Sequence, residues 1–174
     1  FLEHDVVSTV RAALDETGLP AASLILEITE SGLMRRTQAT IARLSALREL
    51  GVHLAIDDFG TGYSSLSYLE RFPIDILKID RTFVSTVGNG ASPIAPAVID
   101  LGRTLDLQVI AEGIEHADQA RWLADLGCGY GQGFLFARPI GPAAMEALLA
   151  SGAGLGTETS GVRGAEPDVS EPRR

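Results

Sequence analysis

Five apolar runs of strand length recur along the first 150 residues, each closing on a polar or Gly-containing loop, and helix-like stretches separate them. The runs are Ser23 to Thr29, Val52 to Asp57, Ile74 to Ile79, Leu107 to Ala111 and Tyr130 to Leu135. Helices are expected over Val6 to Thr17, Thr37 to Leu50, Pro93 to Leu105, Ala117 to Leu126 and Pro142 to Leu149. In the second of these, Ile41, Leu44, Leu47 and Leu50 keep a spacing of three and stop at Gly51. Near-continuous apolar strands alternating with helices imply a parallel sheet covered by helices, which is either a doubly wound sheet or a (β/α)8 barrel.

The position of the charges favours the barrel. Four successive runs end in ionisable residues, namely Glu27, Asp57 with Asp58, Lys78, and Glu112, and that end of a barrel is where active sites are built. Side chains alternate along a strand, so Glu27 shares a face with Ile25 and Thr29, Asp57 with Ala55, Lys78 with Ile76, and Glu112 with Ile110. Gln132 extends the same ring from the fifth run. Five strands are three short of eight, and 150 residues fall below the roughly 200 to 250 of a complete barrel, so an incomplete barrel is expected. From Ser151 the composition turns to Gly, Ser, Thr, Glu and Pro, which predicts a disordered tail over 151–174 after one folded domain over 1–150.

A net charge of −9 argues against a DNA or RNA partner, which calls for a basic stripe. Apolar runs such as Ala22 to Ile28 are far shorter than the roughly 20 residues of a membrane span, so no membrane contact is expected of this segment. The chain opens on Phe1 without a leader pattern and reads as a piece of a longer chain. A single Cys128 is expected to be a buried structural thiol, in keeping with a cytoplasmic location.

Carboxylates at neighbouring strand ends repel one another unless a cation lies among them. Oxygen ligands without His or Cys suit hard ions such as Mg²⁺ or Mn²⁺, and two such ions about 3.5–4 Å apart can clamp a phosphodiester. Lys78 at the adjacent strand end is placed to orient a water or to face the charge of a pentacovalent transition state. Asp and Glu at strand ends also cap helices, and a Lys in a sheet commonly pairs with one of them. Capping alone does not put charges on the same inward face of four strands in order. The segment Asp58-Phe59-Gly60-Thr61-Gly62-Tyr63-Ser64-Ser65 follows directly, and its glycines allow a tight backbone path over a site.

Taken together, Leu26-Glu27-Ile28-Thr29-Glu30, Ile56-Asp57-Asp58-Phe59-Gly60-Thr61-Gly62-Tyr63-Ser64-Ser65-Leu66, Leu77-Lys78-Ile79-Asp80, Ala111-Glu112-Gly113-Ile114-Glu115 and Gly131-Gln132-Gly133-Phe134 with Arg138-Pro139 resemble the EAL domain family. The resemblance implies a (β/α)8 TIM-like barrel that linearises cyclic-di-GMP to 5′-pGpG with Mg²⁺ or Mn²⁺, commonly a homodimer and often attached to a GGDEF or sensory domain. It implies that Glu27, Asp57 and Asp58 bind metal and that Lys78 contacts the catalytic water or a metal-bridging group. Glu112 is then a metal ligand or general base, and Gln132, Glu115 and Arg138 support site or substrate. Glu30 anchors the loop from Asp58 to Ser65, while His53 and His116 match no catalytic position. The Glu-Ala-Leu segment that names the family, and an Asn ligand, are expected upstream of Phe1. The alternatives are an EAL domain that binds cyclic-di-GMP or a protein partner without hydrolysis, or another metal-dependent barrel enzyme of enolase-like type.

Overall fold

The computed structural model describes residues 5–33, 38–61, 69, 71–86, 92–151 and 163–164. They fall into two compact units, the first running to Lys78 and taking in Asp100–Gln108, the second holding Ile79–Ile99 and Val109–Glu166.

The first unit opens on α1 (Val6–Thr17), whose start and stop are both written in local chemistry. Asp5 accepts the Ser8 N–H at 3.2 Å, answering one of the N-terminal donors that a helix leaves unpaired, and also the Ser8 hydroxyl. Those hydrogen bonds hold the Asp5 carboxyl below its ordinary pKa of 3.8. Gly18, at φ 66°, ends the helix by returning its N–H to the Leu14 carbonyl at 2.9 Å.

Strand β1 (Ile25–Thr29) leads through the short helix α2 (Glu30–Leu33) to α3 (Gln38–Glu49), and β2 (His53–Phe59) follows. On α3 the buried residues are Thr40, Leu44 and Leu47, a face with the 3.6-residue helical period. β1 and β2 pair in parallel with Glu27 opposite Ala55 and Thr29 opposite Asp57. Leu54, Ala55 and Ile56 are consecutive and buried, as expected of a strand covered on both faces. β3 (Ile76–Ile79) lies next to β2, with all four residues buried, Lys78 among them.

The second unit contains α4 (Arg81–Val84), most of α5 (Ile94–Thr104), most of β4 (Gln108–Ala111), α6 (Ala117–Asp125), β5 (Tyr130–Gly131), α7 (Pro142–Ser151) and β6 (Arg163–Gly164). β4 pairs in parallel with β5, and β5 with β6. Gln119, buried on α6, accepts the N–H groups of Glu115 and His116 at 2.8 and 2.9 Å, which closes the start of that helix. Cys128 is buried, its Sγ within 3.3 Å of the Tyr130 carbonyl, and burial pushes its thiol pKa up. α7 has no buried residue, and Met145 and Leu149 on it are exposed.

The fifth run, expected as a strand over Tyr130 to Leu135, pairs as strand only at Tyr130–Gly131. Beyond it the chain turns, the Phe136 N–H reaching back to the Gly133 carbonyl at 3.1 Å, so Gln132 sits just past the strand and not in it. The loop residues Gly62, Tyr63, Ser64 and Ser65, and most of the 151–174 tail, lie outside the described residues; Arg163–Gly164 within that tail forms β6. Among the described residues, no helix is long and apolar enough to cross a membrane.

Candidate metal centre

At the C-terminal ends of β1, β2 and β3, alternation turns Glu27, Asp57 and Lys78 toward one another, and all three belong to the first unit. Lys78 Nζ lies 2.6 Å from Glu27 Oε1 and 3.1 Å from Asp57 Oδ1. The ammonium is nearly sealed, with 6% of the side chain exposed, whereas 48% of the Glu27 side chain is exposed. A buried ammonium persists only with carboxylates beside it, so the pairing is what allows Lys78 inside a strand.

The arrangement leaves negative charge over. Asp57 and Asp58 each offer an oxygen, and these lie within 4.8 Å of one another. Asp57 Oδ1 is shut off from solvent and, although close to Lys78 Nζ, has no aligned hydrogen bond. One ammonium thus pairs with two carboxylates, and a third, that of Asp58, lies beside Asp57. These all-oxygen donors fit a hard divalent ion such as Mg²⁺ or Mn²⁺.

The backbone around Asp58 is unusual. Asp58 adopts φ 55°, the left-handed region that non-glycine residues seldom enter, and Gly60 follows at φ 97°. The Gly60 N–H donates to Glu30 Oε2 at 3.0 Å, and Glu30 is buried. A carboxylate at the start of α2 therefore holds the first turn after β2.

In the second unit, Glu112 follows β4 directly and is half-buried, with its N–H on the Ile79 carbonyl at 3.0 Å. Gln132 is exposed at its side chain, while its backbone bonds Ala111 (2.8 Å) and Ile114 (3.1 Å). Glu115 is exposed, and the Arg138 guanidinium sits 4.7 Å from the centre of the exposed Phe134 ring. His116 is exposed at the start of α6. His53 lies at the opposite end of β2, its Nδ1 3.8 Å from Asp75 Oδ2.

The sequence pattern assigns no separate role to Gly113 and Gly133, yet both lie in close backbone contacts of the second unit. The signal available was a glycine interrupting an apolar segment, which marks a bend or a close approach.

A family model described as the EAL domain matches residues 1–139. The cyclic di-GMP phosphodiesterase NbdA of Pseudomonas aeruginosa is 48% identical over 146 residues, which are 83% of this chain and 19% of that protein. The bifunctional diguanylate cyclase/cyclic di-GMP phosphodiesterase MucR of the same organism is 47% identical over 153 residues, 87% of this chain and 22% of that protein. The solved MucR phosphodiesterase in complex with c-di-GMP superposes with a TM-score of 0.77 at 44% identity, covering 82% of this chain and 59% of that one. Klebsiella pneumoniae BlrP1 with manganese and cyclic-di-GMP gives a TM-score of 0.71 at 36% identity, covering 79% and 36%. The chain thus spans about a fifth of the length of the curated relatives it matches. These likenesses put its fold among TIM-like α/β barrels, present here in part.

Proposed function

Because this chain belongs to the EAL domain family, we propose that it supplies much of the site of a cyclic-di-GMP phosphodiesterase acting in bacterial second-messenger signalling within a longer parent chain. The observation that carries this reading is the strand-end cluster, where Lys78 pairs with Glu27 and Asp57 while Asp58 adds a further carboxylate. Glu27, Asp57, Asp58 and Glu112 hold Mg²⁺ or Mn²⁺ in this reading. Bound there, the divalent ions supply Lewis acidity toward a phosphodiester oxygen and an acidified water.

The chain's own residues do the rest. A product carrying a 5′-phosphate requires that water's oxygen bond to phosphorus, that the P–O3′ bond break, and that the 3′ oxygen leave with a proton. Glu112 serves as ligand or as the base that takes the proton of the attacking water. Lys78, fixed by two carboxylates, presents its positive charge to the phosphoryl oxygens as the fifth bond forms. Glu30 anchors the turn at Gly60, supported by their 3.0 Å hydrogen bond. Gln132, Glu115 and Arg138 support the site or the substrate, and Arg138 carries the charge suited to a phosphate. An attached GGDEF or sensory domain, a homodimeric intact domain and a cytoplasmic location complete the proposal.

The test is conversion of cyclic-di-GMP to 5′-pGpG, followed by chromatography, using a polypeptide that contains this chain with its upstream segment, with Mg²⁺ or Mn²⁺ present. Binding by calorimetry without turnover would leave the inactive, ligand-binding alternative standing. Neither binding nor turnover would sink both.

A further inference from the structure

The chain just after β4 is pinned from two sides, and every residue involved belongs to the second unit. On one side the Glu112 N–H bonds the Ile79 carbonyl at 3.0 Å, and Gly113, at φ 66°, lies against Arg81. A Cβ on Gly113 would stand 2.3 Å from Arg81 Cβ. On the other side Ile114 exchanges two backbone hydrogen bonds, giving its N–H to Gln132 at 3.1 Å and accepting the Leu135 N–H at 2.9 Å. Gly133 packs into that exchange so closely that a Cβ there would lie 2.1, 2.3 and 2.7 Å from the oxygen, nitrogen and carbonyl carbon of Ile114.

Gly133 is not among the residues with positive φ, so it is required for space and not for backbone conformation. Gly129 and Gly141 are the contrast in the same unit, since a Cβ at either meets nothing within 4 Å. Adding a methyl group at Gly133 forces Ile114 and Gly133 apart by about 1 Å, beyond the roughly 0.5 Å within which a binding group must be held. Glu112 is two residues from Ile114, so the displacement reaches its Cα and the direction of its carboxylate.

We propose that Gly133 and Gly113 are positioning residues that aim the Glu112 carboxylate at a divalent ion, by letting the backbone of Ile114 and the side chain of Arg81 close on the strand end. This rests on the reading of Glu112 as a metal ligand given above.

The test measures Mn²⁺ affinity of the whole chain by electron paramagnetic resonance, with folding followed by circular dichroism. Gly133→Ala should weaken Mn²⁺ binding by about 10–100-fold, the range seen when support of a metal ligand is lost. Gly129→Ala and Gly141→Ala should leave it unchanged. Glu112→Gln and the double variant Glu112→Gln/Gly133→Ala should bind equally weakly, since the glycine acts through Glu112. Unaltered affinity in Gly133→Ala, or further weakening in the double variant, overturns the proposal. Wild-type affinity in Glu112→Gln alone, or no Mn²⁺ binding by the unaltered chain, removes the metal reading itself. If Gly133→Ala does not fold, Gly113→Asn, a residue that tolerates positive φ, is compared with Arg81→Gly/Gly113→Asn, in which the opposing Cβ is gone. Recovery of Mn²⁺ affinity in that pair supports positioning, and no recovery overturns it.

Discussion

The two ends of β2 and β3 each bring acidic and basic side chains together and treat charge in opposite ways. At the N-terminal end, Asp75 has partners on hand: the Arg48 guanidinium at 3.2 Å and the Leu54 N–H at 3.0 Å, with His53 Nδ1 3.8 Å away. Its backbone also joins the ladder, donating to the Leu54 carbonyl and accepting from Gln108. Its carboxylate oxygens have partners, and the cluster ties neighbouring strands together. At the C-terminal end, Glu27, Asp57 and Asp58 outnumber the one ammonium of Lys78, and an oxygen of Asp57 is buried without an aligned donor. A satisfied carboxylate holds the fold together. A surplus of carboxylates raises the energy of the empty site and makes it ready for a cation.

Substitutions at the two ends should therefore separate metal binding from stability. The largest effect expected is that of Asp57→Asn, which should lower Mn²⁺ affinity by ~100-fold or more, above the range for indirect support; binding close to wild type would break the contrast. Lys78→Met removes the one ammonium and should cost about 1–3 kcal/mol, below the figure for a fully buried pair because Glu27 is half exposed. Urea unfolding should show part of that loss restored by added Mn²⁺, as a second cation replaces the first. Asp75→Ala should cost about 1–2 kcal/mol through the lost acceptor of the Leu54 N–H, with Mn²⁺ affinity unchanged; a drop in affinity would mean that the ends are coupled. The smallest effect belongs to Asp5, whose lowered pKa gives α1 stability that is present above its unfolded value of 3.8 and is lost as pH falls through the folded value. Helicity of Asp5→Asn should accordingly change less than wild type on acidification below that pH.

Much of this was legible in the sequence, for reasons that also show where legibility ended. α1 lies where expected over Val6–Thr17, because its cap and its terminal glycine are local signals, and each of the five apolar runs holds a strand, though β2 runs on to Phe59 and β6 lies outside them. The four-residue helices α2 and α4 are too short to display a period, and nothing in composition separates them from loops. Strand β5 is shorter than its apolar run because Gly133 turns the chain against Ile114, a contact made by backbone across a gap of nineteen residues. The inward row of Glu27, Asp57 and Lys78 followed from alternation alone. That Lys78 would meet two carboxylates and not one depends on strand register, with Thr29 opposite Asp57, which no local pattern reports.

The left-handed conformation of Asp58 sets stability against binding at a single position. Glycine is indifferent to that conformation, while an L-residue pays about 1–2 kcal/mol for it. Engineering for thermal tolerance would therefore select Asp58→Gly as a gain, and the same change would delete a charge from the carboxylate cluster. Stabilised versions of this domain should be screened for metal affinity at every round, because position 58 is where a better-folding protein and a working one part company.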